Sequence, residues 1–221
     1  MSFQKIYDRA AQIKGEKQLV ASLPKIKSVR SLKALPDADY LAEMTKCVFR
    51  SGFVWKIVEN KWSNFETVFA NFNPKVVASF SDERLETIAQ DASIIRNFTK
   101  ILAARTNAAF ILDEAKRHQS FANMIATWPE EDLVGLLRYL KEHGARLGGH
   151  TGQYFLRFIG KDTFILSKDV VRTLIEEGIT DKEPTSKSGL KAVQEAFNSW
   201  REESGLPYSH ISRIMAASHS D

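Results

Sequence analysis

The chain has 221 residues, 43% hydrophobic and 26% charged, a balance that buries a core and excludes a mainly disordered protein. One cysteine excludes an internal disulfide framework and a Cys-rich zinc site, and no apolar run reaches the ~18–20 residues of a membrane span. The net charge of +4 is uneven: residues 1–110 hold 17 basic and 11 acidic residues, residues 111–221 hold 14 and 16.

Within residues 1–33 stand eight basic residues against two acidic ones. That excess suits either a polyanionic partner or a solvated basic surface. The N-terminus has no apolar stretch of the secretory type, so a reducing cytosol is the expected compartment. Asp37 is placed to cap a helix whose apolar stripe is Tyr40, Leu41, Met44 and Val48. Trp55, Val58 and Trp62 continue the helical spacing. Ser81, followed by Asp82 and Glu83, opens another helix, with Leu85, Ile88 and Ala89 facing inward. Ile101, Leu102, Arg105, Ala108, Ala109 and Leu112 fit one long helix. Pro129-Glu130-Glu131 opens a helix with a stripe of Leu133, Leu136, Leu137 and Leu140. Asp162–Ser167 is a short apolar run compatible with extended chain, and residues 188–203 and 209–218 form the last two helices. The pattern predicts an all-α protein of about ten helices. It comprises a basic segment 1–36 and a helical domain 37–221, with a hairpin near 143–160.

The most informative local feature is Leu147-Gly-Gly-His-Thr-Gly-Gln-Tyr-Phe-Leu156. A helix ends near His143, glycines turn the chain, and a new helix begins near Thr151. Gly148, Gly149 and Gly152 let backbone approach a ligand, and a helix N-terminus directs unpaired N–H groups at it. Together with His150 and Thr151 this suits one DNA phosphate, and equally a tight turn with Gly149 as a C-cap.

An ordered set of motifs runs through residues 41–112: Leu41-Ala-Glu-Met44, Gly52-Phe-Val-Trp55, Phe65-Glu-Thr-Val-Phe69, Asp91-Ala-Ser-Ile-Ile-Arg-Asn97, Lys100-Ile101 and Asn107-Ala108. This set resembles the type I 3-methyladenine DNA glycosylase family of the helix-hairpin-helix superfamily, and residues 146–171 resemble the superfamily hairpin. The resemblance implies a bilobal all-α fold that binds duplex DNA with alkylated bases. It implies that an alkylated purine is flipped out and its N-glycosidic bond hydrolysed in base excision repair, without a cofactor.

The resemblance also assigns roles. Trp55 occupies the position of the aromatic set against the flipped base. The family's pocket glutamate falls on Cys47, or on Val48 with a one-residue shift; neither is a carboxylate, so Cys47 is a candidate base contact and Glu43, one turn earlier, a candidate substitute acid. The plain reading of Glu43 is a solvated surface acid. The family's aromatic-rich N-terminal segment is missing, and Tyr7 or Tyr40 would supply its aromatic. The C-terminal pair of the family's zinc ligands falls on Asp169 and Thr173, so no metal is expected. Asp169 is nearest to the superfamily's catalytic aspartate, with Ser167 the alternative register and a helix first-turn acid the plain reading. Gln153 stands near the superfamily's lyase lysine, which argues against a Schiff-base step. Lys161, Lys168 and Arg172 are candidate phosphate contacts.

Overall fold

The structure is a computed structural model and describes residues 2–219. Among these residues there are fifteen α-helices, two 3-10 turns and no strand. The helices are α1 Phe3–Lys14, α2 Glu16–Ala21, α3 Val29–Lys33, α4 Asp37–Arg50, α5 Trp55–Asn60, α6 Trp62–Val68, α7 Pro74–Ala78 and α8 Asp82–Gln90. The chain continues with α9 Phe98–His118, α10 Phe121–Thr127, α11 Leu133–His143, α12 His150–Ile159, α13 Lys168–Glu176, α14 Lys187–Ser204 and α15 Tyr208–Ala217. Most of the surplus over the expected ten lies in α2, α3, α5 and α7. These have five or six residues each, too short for a 3.6-residue period to show. No helix of the described residues is long and apolar enough to cross a membrane.

Two units interleave along the chain, in place of a basic arm followed by one helical domain. One comprises residues 1–27, 129–136 and 160–221, the other residues 28–128 and 137–159. In the first unit α1 packs on α15 and α14, and α13 packs on α15. Phe3, Ile6 and Ala10 form the buried face of α1, and the Phe3 N–H donates to Glu203. Asp162–Ser167 is a loop, not a strand. Asp162 accepts from the N–H groups of Tyr208 and Ser209 and so caps α15 from outside it. The Ser209 hydroxyl bonds both the N–H and the C=O of Thr163, so that residue of the run meets its backbone needs without a partner strand.

In the second unit α9 is the axis, contacted by α4, α7, α8 and α10. Its buried face runs through Ile101, Ala104, Ala108 and Ile111, while Ala109 is exposed. The Asp91–Asn97 motif is the connection into this helix. Asp91 accepts from the Ser93 N–H, Ile94 and Ile95 go into the core, and Asn97 caps α9 through the Lys100 N–H. Ser81 caps α8 as its sequence predicts. Asp37 does not cap its own helix, whose N-cap is Pro36. Its carboxylate takes hydrogen bonds from the backbone of Phe121 and Ala122 at the start of α10. Pro129 opens a 3-10 turn, Glu130–Asp132, before α11.

Candidate functional site

α4 and α12 pack together in the second unit, and the turn after α4 meets the first turn of α12 at a cavity of about 170 Å³. Cys47 and Arg50 line it from α4, Ser51 and Gly52 from the turn, and Trp55 from α5. His150, Thr151, Tyr154 and Phe158 complete the wall from α12. The volume lies below the ~300 Å³ at which drug-sized pockets begin, and leaves room for one small planar group. Trp55 is 42% exposed and stands edge-to-face with Tyr154 at 5.2 Å and with Phe158 at 5.9 Å. A larger hollow of about 310 Å³, beside α8, brings Arg84, Thr87 and Asp91 together with no aromatic face. Asp91 there already serves the Ser93 turn.

Two buried side chains of α9 hold the loops around the cavity. The Lys100 ammonium donates to the carbonyls of Phe49 and Ser51, which the end of α4 leaves without helical partners. Burial lowers its pKa from the usual lysine value. Asn107 grips the hairpin turn with both ends of its amide: Oδ1 accepts from the Ala145 N–H at 2.7 Å, and Nδ2 donates to the Ala145 carbonyl at 3.1 Å. The turn has positive φ at Arg146 (61°) and Gly149 (57°). Gly149 directly precedes α12 and is not the C-cap of α11, which ends six residues earlier at His143. A Cβ on Gly152 would lie 2.4 Å from the Leu147 carbonyl oxygen, so only glycine lets the new helix start against that backbone.

Behind the wall lies a charge cluster. Arg50 donates from Nε and Nη2 to Glu59 and from Nη1 to Glu43, the last at 3.3 Å. Lys46 also pairs with Glu59, at 2.8 Å. The Cys47 thiol, 4% exposed, is pushed up in pKa by burial and by Glu43, which accepts its hydrogen bond. It is a poor nucleophile. Burial raises the Glu43 carboxyl above the ordinary 4.5, against the pull of Arg50. The folded state thus holds this proton more tightly than the unfolded chain. The stability so gained is full below the unfolded value and is lost as pH rises through the folded one. Glu43→Gln should therefore match the wild type in acid and become the more stable protein as pH rises to neutrality. Melting temperatures from pH 4 to 7 check this, and a wild type that gains on the variant with rising pH would contradict it.

Of the residues proposed from sequence, the cavity brings together Cys47, Trp55, His150 and Thr151, with Glu43 touching two of its wall residues. Gly148 and Gly149 lie in the adjoining turn and Gly152 in the first turn of α12. Tyr40 is not there: it is 0% exposed, its ring packs on Phe121 and Phe155, and its hydroxyl donates to the Leu32 carbonyl. It is a core residue, held where α4 meets α3 and α10. Lys161 is also corrected, since at 6% exposure it cannot lie along a DNA backbone. Burial lowers its pKa, partly offset by Glu130 and Asp162 nearby. Lys168 is exposed in the first turn of α13, in the first unit. Asp169 follows it in that turn, where Ser167 supplies the cap and an acid favours the helix dipole.

The positions aligned with the family's zinc ligands do not fit a metal. The Thr173 hydroxyl lies 3.0 Å from the Asp169 carbonyl and 2.8 Å from His219 Nε2. Among the described residues no three His, Cys, Asp or Glu side chains are grouped to hold an ion.

Sequence reading missed Arg50, Tyr154 and Phe158. Phe158, an aromatic off the Gly152-Phe155-Leu156-Ile159 stripe of α12, was the available signal. Lys100 and Asn107 stood in the recognised motifs, and their buried polar ends show what those motifs are for.

An all-helical chain with a glycine hairpin beside an aromatic-walled cavity has the build of a helical DNA-glycosylase fold. Residues 36–145 match the family described as methyladenine glycosylase. DNA-3-methyladenine glycosylase 1 of Escherichia coli (strain K12) is 33% identical over 76 residues, covering 34% of this chain and 41% of that protein. This chain thus spans about two-fifths of that curated relative. The 8-oxoguanine glycosylase/lyase of Methanocaldococcus jannaschii, solved with a DNA 15mer containing 8-oxoguanine, aligns over 96% of this chain and 95% of its own, with a TM-score of 0.54 and 16% identity. That likeness establishes the fold. The 3-methyladenine DNA glycosylase I of Staphylococcus aureus aligns over 69% of this chain and 83% of its own, at 19% identity and a TM-score of 0.47. Residues 36–145 thus match the methyladenine glycosylase family, in a chain whose fold is that of a helical DNA glycosylase.

Proposed function

We propose that this protein is a DNA glycosylase of base excision repair. It turns a modified purine of the alkylated class out of duplex DNA into the cavity of the second unit and hydrolyses its N-glycosidic bond. The observation that carries this reading is the convergence of an aromatic-walled cavity and a glycine-hairpin helix start. A flipped base needs a stacking surface to offset its lost stacking, and its strand needs a fixed phosphate close by. Trp55 supplies the surface and the Gly149–Thr151 backbone the phosphate seat. Phe53, Val54, Ile57 and Phe158, all exposed, give an apolar patch beside them that suits unstacked bases. Glu43 positions Arg50 and Cys47.

A second reading, damage recognition without cleavage, is favoured by one observation. The place of the family's pocket glutamate holds the buried thiol of Cys47, while Glu43 is tied to Arg50. Incubation with alkylated duplex DNA, with released bases identified by mass spectrometry, separates the two. Release of a free methylated purine is expected. Salt-sensitive duplex binding by the same preparation with no release of any base would favour recognition alone.

A further inference from the structure

We propose that the segment leading out of α2 forms, in the first unit, a second DNA-backbone surface that holds duplex DNA without regard to lesion or sequence. This inference rests on the DNA-glycosylase reading and adds to it a site outside the base pocket. Residues 17–36 contain Lys17, Lys25, Lys27, Arg30 and Lys33, and neither aspartate nor glutamate. All five cations are exposed. None of them is in an ion pair among the described residues. The methyladenine glycosylase match begins only at residue 36, so this chain carries the stretch in addition to the family segment.

The alternative is a loose, solvated basic tail, and the contacts of Ser22–Lys27 argue against it. This strap is tied to the rest of the first unit at three points. Arg213 Nε donates to the Ser22 hydroxyl at 3.3 Å, and His210 Nε2 donates to the Pro24 carbonyl at 3.1 Å. The Lys27 N–H donates to the Gly160 carbonyl at 2.9 Å. Gly160 has φ 91°, and a Cβ there would lie 2.8 Å from Lys27 Cγ, so glycine lets the strap lie against that turn. Exposure alternates along the strap: Lys25 and Lys27 are exposed, Pro24 and Ile26 half-buried. Both ammonium groups therefore stand outward on a fixed backbone. Arg213, exposed on α15, adds a third cation beside Ser22. Asp162, two residues past Gly160, is occupied by the N–H groups of Tyr208 and Ser209. Cations held in place without carboxylate partners suit a phosphate backbone. Each one that meets a phosphate releases condensed counterions, and such contacts carry no sequence information. The base pocket cannot supply this hold, because it fills only when a base has left the stack. The strap keeps the protein on undamaged duplex while bases are tested.

The test pairs the double variant Lys25→Gln/Lys27→Gln with a control, Lys182→Gln/Lys187→Gln. The control removes the same charge from exposed positions in and after a loop where Asp181 and Glu183 flank Lys182. Dissociation constants for an undamaged duplex and for the same duplex with one alkylated purine are measured by fluorescence anisotropy from ~50 to ~200 mM salt, with melting curves to verify folding. The strap variant is expected to bind both duplexes more weakly by the same factor, on the order of tenfold at ~150 mM salt. Its plot of log affinity against log salt should be shallower by about 1.8, or ~0.9 for each lost phosphate contact. The control should stay within about twofold of the wild type. A strap variant that behaves like the control would overturn the inference; the base-pocket reading would stand if the wild type still prefers the lesion duplex. A loss confined to the lesion duplex would also overturn it, by placing the two lysines at the base pocket. A wild type that binds neither duplex would overturn both readings.

Discussion

Trp55→Ala should weaken binding to a lesion-bearing duplex by roughly 10- to 100-fold, the equivalent of the ~1–3 kcal/mol that an aromatic side chain contributes when a base stacks on it. Binding to an undamaged duplex of the same sequence should change by less than about twofold, because no base leaves the stack there. The side chain is 42% exposed and its ring contacts are at the cavity wall, so the fold should survive its loss. Parallel titrations of the two duplexes, with a melting curve as control, check this. Equal losses on both would mean that Trp55 serves only the surface of the protein and that the cavity is not where a base goes.

The second large effect is expected at Gly152. A methyl group there would press on the Leu147 carbonyl oxygen at 2.4 Å, and backbone on both sides is held, by α12 itself and by the Asn107–Ala145 clasp next to the turn. Gly152→Ala should lower stability by about 1–3 kcal/mol, the usual range for overpacking. By displacing the start of α12 it should weaken binding to all duplexes alike, by tenfold or more. Gly149→Ala is the instructive comparison. Its Cβ would meet no atom within 4 Å, and the only cost is the left-handed backbone at φ 57°, about 1–2 kcal/mol. A phosphate seat built from the α12 N-terminus predicts that binding follows the position of that helix, so Gly152→Ala should impair it more than Gly149→Ala. The reverse ranking, in folded proteins, would remove the hairpin from the DNA interface.

Much of this architecture was legible because it follows local rules. The long helices announced themselves through apolar spacing, Ser81 through its capping chemistry, and the hairpin through its glycines. Trp55, Cys47, His150 and Thr151, which line one cavity, were legible because they sit in motifs. Tyr40 was misplaced because an aromatic on an apolar stripe reads the same whether its hydroxyl meets a ligand or, as here, the Leu32 carbonyl eight residues away. Lys161 was misplaced because burial of a lysine depends on groups distant in sequence, here Glu130 among them, that no local pattern announces. Arg50 was overlooked for the converse reason: its importance lies in touching Trp55 and Phe158, residues 5 and 108 positions away. The interleaving of the two units is likewise a property of long-range contacts.

That interleaving sets an order of events during synthesis. The apolar face of α1 leaves the ribosome well before the groups it docks on, such as Glu203 and the ring of Trp200, which follow some 200 residues later. At ~5–20 residues per second that is a wait of roughly 10–40 s. Meanwhile residues 28–128, whose contacts are mostly with one another, have their α9 axis complete and can fold. Nascent chains of this protein therefore carry an unsatisfied amphipathic helix beside an already folded unit. Its high charge, with Lys5, Arg9 and Lys14 on α1, keeps that waiting segment in solution until its partner helices arrive.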